Sequence, residues 1–287
     1  MADRRNHFSQ RRGVAAALLV GSLAFSAHGA AALVRAPQLQ SQPEEAQAAP
    51  CAAEQSYPFA LGERADYQVK LGALSVGSGS MHLAAAEQIS GHRTLRARFK
   101  ISGGIPFARV DDTLESWIDA CGLFSRRFHQ DTKEVNYKRN RTYDFDPERR
   151  TSRRLDNGET TPLPTDRPLD DVSFLYFART LPLKVGETYE LNRYFQQSGN
   201  PVVLKVLRKE TVKVPAGTFN TIVVRPIIQT KGLFGQGGEA EVYFSDDARR
   251  IPVMLRSKVP LVGSLSLHLK AFQPGGAGDG AASEATR

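Results

Sequence analysis

Hydrophobic and polar residues alternate with a period of two along most of the chain beyond position 57. In 94–101, Leu95, Ala97, Phe99 and Ile101 fall on one side, and Thr94, Arg96, Arg98 and Lys100 on the other. In 264–271, Leu265, Leu267, Leu269 and Ala271 alternate in the same way with Ser264, Ser266, His268 and Lys270. Successive side chains of a strand point to opposite faces, so these runs predict antiparallel strands with one buried face. Noisier runs predict further strands over 65–71, 76–88, 107–119, 125–133, 137–145, 188–195, 201–214, 219–230, 240–244 and 253–259. Turn residues separate them at Ser90 and Gly91, Cys121 and Gly122, Asp156 to Gly158, Ser198 to Asn200, and Ala216 and Gly217. Gly77 and Gly79 inside a predicted strand mark a bulge or a sharp bend.

One stretch has a helical period instead. Phe174, Phe177, Ala178 and Leu181 recur at helical spacing, Asp170 and Asp171 sit at the positive end of the dipole, and Pro182 stops the run. This predicts a three-turn helix over 170–180 lying on the sheet. So many antiparallel strands do not stay flat. The expected fold is all-β with one short helix, a large curved antiparallel sheet forming an open or incomplete barrel. A two-sheet β-sandwich is the alternative.

The ends of the chain change the picture from architecture to address. Arg4, Arg5, Arg11 and Arg12 precede an apolar run over 14–27 and a small-residue stretch over 27–32. This is the layout of a secretory signal peptide spanning 1–29; the alternative is an uncleaved anchor, because 13–34 carries no charged residue. Both readings place the remainder across the membrane, in the periplasm or outside the cell, since the arginines stay on the cytoplasmic side. Membrane contact then comes only through an uncleaved N-terminal segment. Residues 30–56, rich in Ala, Gln, Pro and Glu, read as a disordered linker, 57–272 as one β-rich domain, and 273–287 as a disordered tail. In an oxidising compartment Cys51 and Cys121, the two cysteines, form a disulfide or stay free thiols; sequence does not decide the pairing.

The chain of 287 residues carries 38 Lys and Arg against 30 Asp and Glu. Residues 122–155 hold ten basic against five acidic residues, the whole excess of a chain cut after Gly29. Within that segment Tyr137, Arg139, Arg141, Tyr143 and Phe145 share one strand face. Arginine takes phosphate or carboxylate bidentately and rings cover apolar or sugar surface, so this face is a candidate site for an anionic amphiphile or glycan. The alternative is a solvated face on which Arg139 and Arg141 pair across strands with Asp111 and Glu115. A second candidate is the glycine-rich segment 231–238, where Leu233 and Phe234 dip into lipid or gate a cavity, or simply cap a hairpin.

Catalytic and metal signatures are missing. The sequence holds no HExxH, CxxC, GxxxxGKS/T or GxSxG, and its histidines stand singly, so no metal and no cofactor is implied. The doublets Asp111–Asp112, Asp170–Asp171 and Asp246–Asp247 suit ion pairs, a helix start and a turn better than acid–base chemistry.

Several blocks carry a family resemblance: PFALGERADYQVKLG with LSVGSGSMHL, DDVSFLYFARTLPLKVGETY, VPAGTFNTIVVRP, and YFSDDARRIPVMLRSKVPLVGSLSLHL. Together they resemble an exported bacterial family known as domain of unknown function three-one-zero-eight. The resemblance implies a secreted or periplasmic β-rich domain and transfers no functional residue.

The expected function is that of a non-enzymatic envelope protein binding a lipid, lipoprotein or glycan in the concavity of its sheet. A structural or assembly module that engages another envelope protein or peptidoglycan is the alternative, and an envelope hydrolase stands third. Nucleic acid is not an expected partner of an exported chain.

Overall fold

A computed structural model describes residues 56–105, 108–134, 137–229, 240–259 and 263–276. The signal segment, the linker with Cys51, and the segment with Leu233 and Phe234 lie outside these. The strands are β1 (Arg64–Leu71), β2 (Leu74–Ile89), β3 (His92–Ile105), β4 (Ala108–Asp119), β5 (Ser125–Glu134), β6 (Tyr137–Asp146), β7 (Thr151–Arg154) and β8 (Thr160–Pro162). Helix α1 (Asp171–Ala178) follows, then β9 (Thr188–Leu191), β10 (Val202–Val214), β11 (Gly217–Ile227), β12 (Glu241–Ser245), β13 (Pro252–Val259) and β14 (Gly263–Gln273).

All fourteen strands form one antiparallel sheet in the order β8-β7-β6-β5-β4-β3-β2-β1-β14-β13-β12-β11-β10-β9. The open-barrel expectation holds and the sandwich alternative falls, because one continuous ladder runs from β8 to β9. Among the described residues no ladder joins those two edges. The sheet is nevertheless curled. Phe195, a few residues past edge strand β9, meets Phe128 of β5 and Tyr143 and Phe145 of β6 at ring distances of 5.7, 5.3 and 5.4 Å. Strands near opposite ends of the ladder therefore share one aromatic cluster, and segment 168–169 adds backbone bonds between them, from the Ser125 amide to the Pro168 carbonyl at 2.7 Å and from the Phe195 amide to the Leu169 carbonyl at 3.1 Å.

Bulges help the sheet bend, since an extra residue on one strand increases local twist. One falls where the pairing of β1 with β2 shifts between Val69 and Lys70, next to Gly77. Gly77 faces Gly103 of β3. A Cβ on Gly77 would lie 2.2 Å from the Ser102 carbonyl oxygen, so only glycine allows the two backbones to approach this closely.

The strand predictions fail in two instructive places. β7 and β8 are missing from them because runs of four and three polar-rich residues carry too little alternation to read. The predicted strand 188–195 stops at Leu191, and Tyr194 instead makes an isolated parallel bridge with Leu169.

The helix is one turn shorter than expected and sits inside the curl against β3 and β4. Seven of its residues are buried, so apolar and polar positions alike face protein. Asp170 is its N-cap: Oδ1 accepts the Val172 and Ser173 amides at 2.8 and 2.9 Å, and the Ser173 hydroxyl accepts the Asp170 amide at 2.8 Å. Ser116 of β4 donates to Asp170 Oδ2 at 2.6 Å and ties the cap to the sheet. The C-terminal boundary also moves. β14 runs through Gln273 and the Gly276 amide donates to the Leu61 carbonyl, so the first residues of the expected tail are docked.

Candidate functional site

The strand face singled out by composition divides in two. In β6, Arg139 and Arg141 are half-buried, whereas Tyr143 and Phe145 are 6% exposed and belong to the core cluster under Phe195. The side chain of Tyr137 lies outside the described residues. The aromatic half of that candidate face is thus core, which a strand pattern alone does not distinguish from a binding platform. The cross-strand pairing considered for its arginines also does not form with Glu115. That carboxylate accepts from Arg96 and Arg98 of the neighbouring strand at 2.7 and 2.8 Å. The local basic excess is further reduced by pairing: Arg126 binds Asp119 and Glu148, Arg127 binds Asp144, and Arg154 binds Asp156 and Glu159.

A different set of residues forms an open groove of about 1250 Å³. Its walls come from chain segments far apart in sequence: 56–60 before β1, 122–123 after β4, Arg167, the C-terminal end of α1, Arg193, the β12–β13 turn, and 272–275 at the end of β14. Tyr57, Phe59, Leu123, Phe177 and Phe272 supply apolar surface, and Tyr57 stacks on Phe59 at 5.4 Å.

Five arginines line the groove against three acids, and the acids are all engaged. Glu63 holds Arg179 bidentately, with Nη1 donating to Oε1 at 2.6 Å and Nη2 to Oε2 at 2.9 Å. Arg179 also donates to the carbonyls of Pro58 and Arg249 and lies over the rings of Phe59 and Tyr176, so it stitches three walls together. Asp247 accepts the amides of Arg249 and Arg250 and the guanidinium of Arg249. Asp246 pairs with Lys209 and Arg250. Hydrogen bonds and these cations hold both aspartates below the usual carboxylate range, Lys209 acting most on Asp246, while on Asp247 burial opposes the shift. This doublet builds the turn expected of it, and each of its carboxylates also pairs with an arginine that follows, Asp247 with Arg249 and Asp246 with Arg250.

Arg167 and Arg193 remain. Arg193 Nε donates to the Arg167 carbonyl at 2.9 Å and Nη2 to the Leu123 carbonyl at 3.1 Å, and its guanidinium lies 4.3 Å from the centre of the Phe177 ring. Arg167 Nη2 donates to the Gly122 carbonyl at 2.9 Å. Burial, with the charge of Arg167 behind it, lowers Arg193 to about 10. Neither was a sequence candidate, because each stands alone in its own segment.

Cys121 lies in the turn beside this groove, and Tyr57 Oη donates to its carbonyl at 3.2 Å. Cys121 carries no free thiol. Cys51, the partner considered for it, is outside the described residues. Among the described residues no cluster of three or more His, Cys, Asp or Glu side chains is arranged to hold a metal ion, and no helix is long and apolar enough to cross a membrane.

One curled, unclosed sheet with a helix packed in its concavity and an arginine-lined groove defines a β-rich module. The chain belongs to the family described as protein of unknown function (DUF3108), whose model matches residues 66–270, as the sequence blocks implied. None of the curated proteins matches it. Among solved structures it is similar to one described as a beta-barrel-like protein of domain of unknown function DUF1849 from Brucella abortus. That similarity has 11% identity and a TM-score of 0.46, covering 75% of this chain and 98% of that one. It is also similar to a candidate exported protein with a YmcC-like fold from Bacteroides fragilis (12% identity, TM-score 0.31, 76% of this chain and 98% of that one). A candidate lipoprotein from Parabacteroides distasonis matches at 8% identity and a TM-score of 0.31, over 77% of this chain and all of that one.

Proposed function

We propose that this protein is a non-enzymatic module of the bacterial cell envelope that binds an amphipathic, anionic envelope component in the groove beside α1. The observation that carries this reading is the pairing, in one open cavity of about 1250 Å³, of aromatic surface with more arginine than acid. A volume of this size suits a ligand well beyond a small metabolite. Aromatic rings take an apolar portion, and unneutralised guanidinium groups take a negative one. The N-terminal basic and apolar segments support delivery across the membrane, to the compartment where such molecules occur.

A non-catalytic role is favoured by how the acids are used. Glu63, Asp246 and Asp247 each spend their oxygens on arginine, lysine, hydroxyl or backbone partners, which leaves no lining carboxylate poised to take a proton from a nucleophile. The test is uptake of a fluorescent fatty-acid or phospholipid probe by delipidated protein. Saturable binding that falls when Phe177 is changed to Asp is the expected result. Absence of any probe uptake overturns the reading and returns the assembly-module alternative, with a protein or peptidoglycan partner, to first place.

A further inference from the structure

Once the ion pairs of the groove are assigned, two positive charges are left over, and they are adjacent. Arg167 and Arg193 converge on the consecutive carbonyls of Gly122 and Leu123, and Arg193 also holds the carbonyl of Arg167. Neutral acceptors fix both guanidinium groups in place, and Asp166 acts on Arg193 only from beyond ion-pair distance, more weakly than burial and the charge of Arg167. Neither has a carboxylate within 4.0 Å among the described residues. Nε and Nη1 of Arg167 and Nη1 of Arg193 have no protein acceptor among those residues. Two like charges held together against an aromatic ring repel each other, and that repulsion contributes to the easier deprotonation of Arg193. A bound anion reverses that penalty, and the spare N–H groups supply the bonds it needs.

We propose that the Arg167–Arg193 pair is the head-group site for a phosphate monoester carried on an apolar tail, the tail lying on the aromatic lining of the same groove. The proposal rests on the amphiphile-binding reading above and narrows it to a head group. Charge complementarity selects phosphate over carboxylate. A phosphate monoester carries close to two negative charges at neutral pH, matching the two guanidinium groups, whereas a carboxylate leaves one of them uncompensated. Phe177, which lies under Arg193 and lines the cavity, marks where head and tail regions meet.

The test is calorimetric titration of the full chain, below micelle-forming concentrations, with dodecyl phosphate, laurate, dodecyl maltoside and inorganic phosphate. Dodecyl phosphate is expected to bind at least tenfold more tightly than the other three. Arg167→Gln and Arg193→Gln should each weaken dodecyl phosphate at least tenfold and leave dodecyl maltoside unchanged. Arg167 is exposed, so its variant keeps the test alive if loss of the Arg193 carbonyl contacts unfolds the loop. Equal affinity for dodecyl phosphate and dodecyl maltoside, both indifferent to Arg167→Gln, would overturn the head-group site while the groove reading stands. Laurate binding as tightly as dodecyl phosphate would refute the dianion argument. Inorganic phosphate binding equally well would reassign the pair to free phosphate, and failure of every amphiphile to bind would overturn both the site and the groove reading.

Discussion

Replacing Glu63 by Gln tests how the groove is held together. The Glu63 carboxylate accepts two short bonds from Arg179, and both residues are shut off from water, at 6% and 2% exposure. Glutamine keeps one acceptor oxygen and removes the charge, which leaves a guanidinium buried without its counter-ion. Breaking one side of a buried pair costs about 3–5 kcal/mol. Arg179 retains the carbonyls of Pro58 and Arg249 and the faces of Phe59 and Tyr176, so the lower end, about 3 kcal/mol, is expected. Arg179→Met should cost at least as much, because the carboxylate it abandons has no such alternatives. The double variant removes both charges and should cost clearly less than the sum, with a coupling of about 2 kcal/mol. Urea unfolding followed by the emission of Trp117, the single tryptophan, reports all four states of the cycle. Single variants that each cost under about 1 kcal/mol, or a strictly additive double variant, would refute the claim that this pair clamps the groove walls.

Three further outcomes follow from the structure. Burial raises the Glu241 carboxyl, but hydrogen bonds from Arg208, Arg225 and Tyr243 outweigh it and bring it down to about 2. The folded-state value lies below the unfolded one, so this group stabilises the fold above about pH 4.3 and the contribution is lost as the pH falls towards 2. Solvent at the part-exposed arginines limits it to about 1–2 kcal/mol, and Glu241→Gln should flatten the acid limb of a stability–pH profile by that amount; an unchanged limb contradicts it. Phe195→Ala should cost about 3–5 kcal/mol and raise hydrogen exchange in both β6 and β9, because one ring joins the two ends of the sheet; exchange confined to β9 would argue against closure through Phe195. We also propose that Cys121 pairs with Cys51, which predicts no maleimide labelling of the denatured, unreduced protein and two labels after reduction.

The long strands were legible because one face of each is buried and the other is not. In β3, Leu95, Ala97, Phe99 and Ile101 face inward and the intervening charged residues outward, so packing imprints a period of two on the sequence. The helix was legible through Asp170, whose capping role is local. The groove was not, for a physical reason. Arg167, Arg179, Arg193 and Arg249 come from four separate segments, and only the curl of the sheet and the Glu63–Arg179 clamp bring them together. Counting charge along the chain pointed instead to 122–155, where Arg126, Arg127, Arg149 and Arg154 pair with acids close in sequence or across a ladder, as Arg127 does with Asp144. The informative quantity is charge left after pairing, and pairing is set by tertiary structure. Tyr143 and Phe145 misled for a related reason: alternation identifies a face, and only the position of Phe195 makes that face interior.

In the cell the groove is expected to hold an anionic amphiphile. Native mass spectrometry, with lipid extraction, on protein purified from the envelope of its own host tests this most directly. A near-stoichiometric phosphate-bearing lipid or glycolipid, lost from the Arg167→Gln protein, is the expected result. A clean ligand-free mass for the unmodified protein, purified without detergent, would contradict it.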